Sequence, residues 1–389
     1  MVLKAFKYRI YPTLKQAVLI DRHIGSCRFL YNLALETKQI AYAGSQSNLS
    51  CFDLIKQIPD LKKECEWLIE INSQSLQQSI NNLDIAYNKF FKGQANFPKF
   101  KSKNKSTQSF NIPQSVFIKN SKLSIPKFRE GIKITIHRTF EGKIKQATIS
   151  KTPTGKYFAS ILVETTDNIT PKKKITVENT IGIDLGIKDF LISTNGEKLA
   201  NPRCLKKSIS KLKYIQRKYS KRKGKRTKIK LQKIHEKIAN QRKDFLHKVS
   251  TKLVKNHDTI AIETLRVKNM LQNHKLAQSI NDVSWGAFVA MLEYKAEWYG
   301  TNIIKIGTFE PSSKTCSSCG HIKKDLTLSD REWTCESCST LHDRDENAAK
   351  NIKNFALRNY MVQGTSTKNH SELPALVGVL TYEATIPLG

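Results

Sequence analysis

The chain has 389 residues, of which 66 are Lys or Arg and 33 are Asp or Glu, so its formal net charge at pH 7 is +33. Hydrophobic residues make up 39% of the chain, which suits a folded core and excludes a disordered polyelectrolyte. Such a charge opposes compaction unless a polyanion balances it, and nucleic acid is the favoured polyanion. Long apolar stretches, an amphipathic anchor and a signal-peptide core are missing. We therefore expect a cytoplasmic, nucleoid-associated protein with no membrane partner.

The first half of the chain is predicted to run from strand to helix and back to strand. A strand over residues 1–13 precedes a helix from Leu14 to about Tyr42, whose apolar residues recur at helical spacing. A second helix is expected around Leu76 and Tyr87, followed by a basic loop with interleaved aromatic residues at 97–105. The sequence then reads as β-rich to about residue 165, with a hairpin turn beginning at Lys151.

The second half alternates strands and helices. The predicted elements are, in order, strands at Thr180–Asp184 and Phe190–Ser193 with a turn at Asn195-Gly, helices over 205–255, a strand at Thr259–Glu263, a helix at Trp285–Tyr299, a strand at Asn302–Phe309, a helix from about Asp343 to Tyr360, and a tail from Met361. The helical stretch is densely basic, with thirteen Lys or Arg and no acidic residue between Lys206 and Lys230.

Four of the eight cysteines fall in one short window, as Cys316-Ser-Ser-Cys319 and Cys335-Glu-Ser-Cys338. Each pair is a knuckle that presents two thiolates from one tight turn, and two such knuckles satisfy tetrahedral Zn²⁺. A redox dithiol pair is the alternative, but two matched pairs without a thioredoxin-like context favour zinc. Because four thiolates fill the coordination shell, this zinc is expected to be structural.

The remaining details of the cysteine region follow from local geometry. Gly320 is expected to adopt the positive φ that closes the first knuckle, and Ser339 takes the equivalent place in the second. His321 and His342 are nearby but are interpreted as bystanders, since the shell is already full. The isolated cysteines are interpreted as small buried or half-buried side chains: Cys27, Cys51, Cys65 and Cys204.

Two predicted strands each end in an acid that shares its face with small residues. In Gly182-Ile-Asp-Leu-Gly, alternation places Asp184 on the same face as both glycines. In Ala261-Ile-Glu, it places Glu263 with the alanine. The small neighbours predict room beside each carboxylate for something other than a side chain.

A third acid heads the apolar stripe of the last predicted helix. On a helical wheel, Asp345 aligns with Ala349 and Ile352, whereas Asp343 falls on the opposite side and is expected to cap the helix. An acid at the head of an apolar stripe is costly unless a cation meets it.

Asp184, Glu263 and Asp345 are therefore interpreted as ligands of shared divalent metal. Mg²⁺ prefers carboxylate oxygens, and two ions about 3.5–4 Å apart activate water and stabilise the leaving oxygen in phosphodiester cleavage. An actin-like ATPase also opens with such a strand and acid. However, no glycine-rich nucleotide loop follows here, and the basic composition does not suit that fold.

Together these residues resemble the TnpB (OrfB) family of transposon-encoded proteins, relatives of the type V CRISPR effector nucleases. The resemblance covers nearly the whole chain to about residue 360. It rests on Tyr11-Pro, Arg28-Phe-Leu-Tyr-Asn, Pro98-Lys-Phe-Lys-Ser-Lys, Gly182-Ile-Asp-Leu-Gly, Ile262-Glu, Tyr294-Lys-Ala, and the cysteine knuckles that lead into Asp343-Arg-Asp-Glu-Asn-Ala-Ala.

The resemblance implies an α/β multidomain fold. Its expected parts are a β-barrel-like wedge domain at 1–12 and 105–178, an inserted helical recognition domain at 13–104, an RNase H-like (RuvC) nuclease domain at 179–311 and 341–360, and a zinc ribbon for target binding at 312–340. Residues 361–389 lie beyond the resemblance and are interpreted as a C-terminal tail.

The resemblance also implies an activity. Asp184, Glu263 and Asp345 correspond to a catalytic RuvC triad in an RNA-guided, Mg²⁺-dependent DNA endonuclease. Its partners are a guide RNA from the transposon end and double-stranded DNA beside a short transposon-adjacent motif. The basic helices at 205–255 and the loop at 97–105 are then expected to hold nucleic-acid backbone.

Two other functions use the same features. A transposase proper would join DNA strands with the same three acids. A guide-dependent repressor would bind DNA without cleaving it, but that class is expected to lack one or more of the acids, and all three are present here.

Overall fold

The computed structural model describes residues 2–104, 107–166, 170–327 and 329–366, and for residues 268 and 362–366 it describes the backbone alone. The chain divides into two compact units, with the boundary between residues 168 and 169. Among the described residues, no helix is long and apolar enough to cross a membrane.

A seven-stranded antiparallel sheet forms one side of the first unit. Its strands are β1 (Val2–Tyr11), β2 (Gln108–Ile112), β3 (Phe117–Lys119), β4 (Lys122–Ile125), β5 (Phe128–Thr135), β6 (Lys143–Lys151) and β7 (Tyr157–Thr165). Their order is β2-β6-β7-β1-β5-β4-β3, so the first strand of the chain lies at the centre. The predicted hairpin is confirmed, since Lys151 pairs with Tyr157 at the turn between β6 and β7. Within the described ranges β2 is not paired with β3, and barrel-like closure stays a prediction.

Four helices lie between β1 and β2. They are α1 (Leu14–Ser45), α2 (Cys51–Lys56), α3 (Ile58–Glu64) and α4 (Ser73–Phe91). Thr13 begins α1 with a capping box, in which its hydroxyl accepts from the Gln16 amide and the Gln16 side chain accepts from the Thr13 amide. The predicted helix is confirmed and extends to Ser45. Apolar residues of α1 and α4 share one core with the strands, so helices and sheet stabilise each other within this unit.

The second unit is built on a five-stranded mixed sheet. Its strands are β8 (Thr180–Asp184), β9 (Asp189–Ser193), β10 (Lys198–Ala200), β11 (Thr259–Glu263) and β12 (Asn302–Ile306), in the order β10-β9-β8-β11-β12. The three strands β8, β11 and β12 are parallel, β9 is antiparallel to β8, and β10 is antiparallel to β9. The predicted strand from Asn302 ends at Ile306, three residues earlier than expected, and residues 307–312 form a loop.

Helices cover both faces of this sheet. They are α5 (Cys204–Lys221), α6 (Lys225–Asn256), α7 (Val267–Met270), α8 (His274–Val283), α9 (Trp285–Tyr299) and α10 (Arg344–Ser366). The core on one face joins Ile181 and Ile183 of β8 to α6 and α9. On the other face, Ala261 packs with Ile352 and Ala356 of α10.

The C-terminal helix is longer than the sequence predicts. It begins at Arg344 and continues to Ser366, so residues 361–366, which were assigned to the tail, are helical. The rest of the expected tail, residues 367–389, lies outside the described residues. A small two-stranded sheet, β13 (Glu332–Thr334) and β14 (Leu341–Asp343), precedes this helix.

Candidate active site and metal centre

The parallel strands β8 and β11 bring Asp184 and Glu263 to the same edge of the sheet. The register pairs Gly182 with Ala261 and Ile183 with Ile262, so each acid is the next residue along its strand. Because the intervening isoleucines point into the core, alternation turns the two carboxylates toward the opposite face. This edge is the carboxyl end of the parallel strands, where α/β sheets bind their ligands.

Helix α10 lies directly against the small residues of β8. A Cβ atom at Gly182 would lie 2.2 Å from the Ala349 carbonyl oxygen and 2.8 Å from the Lys353 amide nitrogen. The glycine is therefore required by the close approach of the helix, and the backbone of α10 occupies the space that a side chain at this position would need. The same packing brings Asp345, one turn before Ala349, to the edge that holds the other two acids.

Asp184 feels the charges of both other acids, although the carboxylate oxygens of the three do not all lie within 4.8 Å of one another. The pKa of Asp184 is raised to about 7, chiefly by burial and then by the negative charges of Glu263 and Asp345. The Arg344 guanidinium and the Leu185 amide act in the opposite direction without offsetting this rise. An excess of negative charge in an enclosed place is what a divalent cation would relieve.

Glu263 and Asp345 each have a polar partner from the segment that links β12 to α10. The Ser312 hydroxyl donates to Glu263 Oε1, and Ser312 is buried. Arg331 lies 3.3 Å from Asp345 Oδ2, and Arg344 lies 3.5 Å from Asp345 Oδ1. Sequence reasoning missed both Ser312 and Arg331, since neither belongs to a periodic pattern.

The expected cap of α10 is confirmed. Asp343 Oδ1 accepts hydrogen bonds from the Asp345 and Glu346 amides, both at 3.0 Å. Lys198 of β10 lies 2.6 Å from Asp343 and 3.0 Å from Glu346, and hydrogen bonds to those carboxylates raise the pKa of the Lys198 ammonium. These contacts fix the first turn of the helix that carries Asp345.

The four clustered cysteines converge as predicted. The sulfur atoms of Cys316, Cys319, Cys335 and Cys338 all lie within 4.8 Å of one another, and among the described residues only this group of His, Cys, Asp and Glu meets that spacing. The Sγ–Sγ distances are 3.6 Å both for Cys316–Cys338 and for Cys319–Cys335. Four thiolates about 2.3 Å from a tetrahedral Zn²⁺ would lie about 3.8 Å apart, whereas a disulfide bond is about 2.05 Å long. The thiols therefore fit a tetrahedral metal.

The two knuckles have the same backbone form. The Gly320 amide donates to the Cys316 carbonyl and the Ser339 amide to the Cys335 carbonyl, both at 2.9 Å. Gly320 has φ +82°, as expected, and Ser339 adopts φ 55°. A non-glycine residue accepts this left-handed conformation at a modest energetic cost.

The expectation that neither nearby histidine is a zinc ligand stays a prediction, but one of the two histidines contacts a cysteine of the cluster. His342 is buried, and its Nε2 lies 3.0 Å from Cys316 Sγ. His321 is exposed, and its Nε2 lies 3.9 Å from Glu336. An imidazole in contact with a metal-binding sulfur orients that sulfur without occupying a coordination position.

Two asparagines of α10 hold the entry to the cysteine region. Asn351 Nδ2 donates to the Ser312 carbonyl at 2.7 Å, and Asn347 Nδ2 donates to the Thr315 carbonyl at 2.7 Å. Asn347 Oδ1 also accepts from the Ser317 amide at 2.9 Å. Both asparagines are buried. Their one-turn spacing from each other and from Asp343, on one side of the helix, is the sequence signal that would have revealed this role.

Three family models match the chain. They are described as "Cas12f1-like, TNB domain" over residues 285–352, "Probable transposase" over 160–274 and "Helix-turn-helix domain" over 1–47. In the last range the described residues form one strand and one helix, β1 and α1.

Curated relatives match over most of their length. A protein of Streptomyces pristinaespiralis is 39% identical over 361 residues, covering 90% of this chain and 89% of the relative. The InsQ protein of Escherichia coli K12 is 30% identical over 374 residues, covering 90% of this chain and 91% of the relative. Both carry the name "Putative RNA-guided DNA endonuclease". The chain belongs to the TnpB (OrfB) family.

The fold of this TnpB family protein is also similar to that of a solved nuclease. The structure described as the Cas12f1-sgRNA-target DNA complex aligns with a TM-score of 0.56 at 14% identity, covering 90% of this chain and 98% of that chain. At this identity the likeness establishes a shared mixed α/β fold.

The basic segments of this TnpB family protein are helical where the sequence predicts helices. Helices α5 and α6 cover 204–256 and carry most of their Lys and Arg side chains exposed. In the basic loop of the first unit, the Asn32 side chain holds both backbone polar groups of Lys101, whose ammonium lies 3.7 Å from the centroid of the Tyr31 ring. Lys101 thus has a structural role, and Lys105 lies outside the described residues.

Proposed function

We propose that this TnpB family protein is a transposon-encoded, RNA-guided DNA endonuclease that cleaves phosphodiester bonds at Asp184, Glu263 and Asp345. One observation carries the proposal: two parallel strands and one helix bring three acids to one edge of the sheet, where burial and then the charges of Glu263 and Asp345 raise the pKa of Asp184 to about 7. The names of the two relatives that match nearly the whole chain point to the same activity.

The residues at this site fit a divalent cation. Carboxylate oxygens are the ligands that Mg²⁺ prefers, and the carboxylate charges are incompletely balanced by the Arg331 and Arg344 guanidinium groups. Mg²⁺ bound to these acids would supply an activated water and stabilise the leaving oxygen, in the two-ion manner. Ser312 holds Glu263 in one orientation, and Arg331 is placed to balance charge beside Asp345.

The cysteine site is proposed to hold structural Zn²⁺. Thiolate sulfur suits zinc, and four thiolates leave no position for a catalytic water. Because Asn347 and Asn351 fasten the entry of this ribbon to α10, loss of zinc would disturb the helix that carries Asp345. The ribbon at 312–340 would then hold the target strand near the acids.

The domain layout is proposed on the same basis. The mixed sheet of the second unit and its covering helices support an RNase H-like (RuvC) nuclease domain at 179–311 and 341–360. The antiparallel sheet supports a wedge-like domain at 1–12 and 105–178, with 13–104 as the helical recognition part. Exposed basic side chains on α5 and α6 support binding of guide RNA and target DNA, with strongly salt-dependent affinity.

The test is to purify the chain with its native RNA, sequence that RNA, and assay a plasmid that carries a matching target in Mg²⁺. We expect a structured guide RNA to co-purify and the matched plasmid alone to be cleaved. Asp184→Ala should abolish cleavage while RNA and target binding persist. Full activity in this variant would contradict the site assignment, and strand transfer in the absence of RNA would favour a transposase.

A further inference from the structure

The loop between β12 and the ribbon carries the most exposed phenylalanine among the described residues. Phe309 is 85% exposed, although the Arg266 guanidinium carbon lies 5.3 Å from its ring centroid. Arg266 lies in the loop after β11, and Phe309 lies in the loop after β12. The ring and the guanidinium therefore follow two neighbouring parallel strands. With the guanidinium against one face, the other face of the ring remains open to solvent.

The loop around this ring is anchored on both sides. Gly307 and Glu310 close a turn that contains Phe309, in which the Glu310 amide donates to the Gly307 carbonyl at 3.4 Å. After it, Asn359 Nδ2 donates to Glu310 Oε1 at 3.4 Å, and Asn351 holds the Ser312 carbonyl at 2.7 Å. Since the backbone is fixed, the fold holds the Phe309 ring in solvent instead of folding it into the core.

The exposed ring lies close to the candidate active site. Ser312, three residues after Phe309, donates its hydroxyl to Glu263, and Arg266 is three residues after Glu263. A three-residue segment spans at most about 11 Å. The Phe309–Arg266 pair therefore lies at the carboxyl edge of β11 and β12, within reach of DNA whose phosphodiester contacts the acids.

We propose that Phe309 and Arg266 form a stacking shelf for an unpaired base of the DNA strand that is presented to Asp184, Glu263 and Asp345. The inference rests on the proposed function and names the side chains that would position the strand beside the acids. An aromatic ring stacks on any base, with little dependence on sequence, but only when the face of that base is not covered by neighbours. The adjacent guanidinium binds the phosphate beside the stacked base.

The experiment compares guided cleavage of an intact target with cleavage of targets that lack one base at a time around the cut. We expect Phe309→Ala to slow cleavage of the intact target about tenfold, in line with the loss of one base stack. Phe309→Trp should restore the rate to within about twofold. At one abasic position, the wild-type chain should cleave the abasic target more slowly than the intact target by a similar factor. Phe309→Ala should cleave the two targets at the same rate, because the substitution has already removed the contact that the missing base would make.

A matched control is Phe117→Ala, which removes another exposed phenylalanine, on β3 of the first unit, and should leave this base dependence unchanged. In parallel, 2-aminopurine placed at the sensitive position should be quenched by the wild-type guide complex in buffer without Mg²⁺, and not by Phe309→Ala.

Three outcomes would overturn the shelf. They are an unchanged cleavage rate in Phe309→Ala, an equal loss on intact and abasic targets, and quenching that survives the substitution. These outcomes differ from failure of the proposed function itself, which would appear as a wild-type chain that cleaves no guided target and would remove the shelf with it.

Discussion

Asp184 makes the metal-free protein less stable than its neutral counterpart would be. An aspartate in an unfolded chain titrates near 3.8, and in the fold the pKa of Asp184 is about 7, chiefly through burial and then through the charges of Glu263 and Asp345. The folded state therefore prefers the protonated form. Protonation of Asp184 therefore contributes free energy of unfolding to the metal-free protein. This contribution is fully present below the unfolded pKa and is lost as the pH rises through about 7.

The size of this effect follows from the pKa change. Each unit of pKa corresponds to about 1.4 kcal/mol, so the ionised Asp184 costs the metal-free fold up to about 4 kcal/mol above pH 7. Replacing it with asparagine removes the charge at nearly the same volume. Asp184→Asn should accordingly raise the melting temperature of the metal-free second unit by several degrees at pH 8, with a much smaller gain at pH 4.5.

The assay is thermal unfolding without added Mg²⁺ at both pH values, repeated with saturating Mg²⁺. Glu178→Gln, at an exposed acid of the same unit, is the control and should change little. Mg²⁺ should stabilise the wild type and not Asp184→Asn, because ligand binding to the folded state adds stability. If Asp184→Asn is no more stable than wild type at pH 8 without Mg²⁺, or if its gain is equal at both pH values, the electrostatic account of the site is wrong.

Three further outcomes are expected. Ser312→Ala should lower the cleavage rate about ten- to hundredfold by freeing Glu263, since a hydrogen bond to a charged group contributes about 1.5–3 kcal/mol. Ser313→Ala is the matched control. Ser312→Thr, which keeps the hydroxyl, should recover most of the rate at equal Mg²⁺. Cys316→Ser should lose bound zinc and target engagement, measured by elemental analysis and gel shift, and unchanged zinc content would contradict the ribbon assignment. Neutralising four Lys or Arg side chains within 206–230 should weaken RNA binding and reduce the slope of log Kd against log salt concentration by roughly three to four units. An unchanged slope would place the RNA elsewhere.

The contacts between the ribbon and α10 give the zinc site a consequence beyond local folding. Arg331 of the ribbon pairs with Asp345, and the α10 asparagines hold the segment that contains Ser312. The residues that position two of the three acids therefore depend on the same small structure. Removal of zinc should reduce cleavage through Glu263 and Asp345 even where target binding is retained.

Local patterns in the sequence determined the elements and the chemistry of both candidate sites. Strand alternation identified Asp184 and Glu263, because burial of the isoleucines beside them fixes the side on which each acid lies. The spacing of the cysteines determined the thiol cluster, since each knuckle is one tight turn whose geometry needs only a few consecutive residues. Helix ends were less certain, and α10 continues to Ser366 because nothing in the sequence stops it at Tyr360.

Only the tertiary structure decided which distant residues touch these elements. Ser312 and Glu263 are 49 positions apart and Cys316 and His342 are 26 positions apart. No periodicity records such pairs, because they depend on how packed elements approach one another. The space beside Gly182 shows the same limit: the sequence predicts room there for something other than a side chain, but only the packing of α10 identifies the helix backbone as its occupant. Local hydrogen bonding and burial are encoded in neighbouring residues, whereas the shape of a site results from packing across the whole unit.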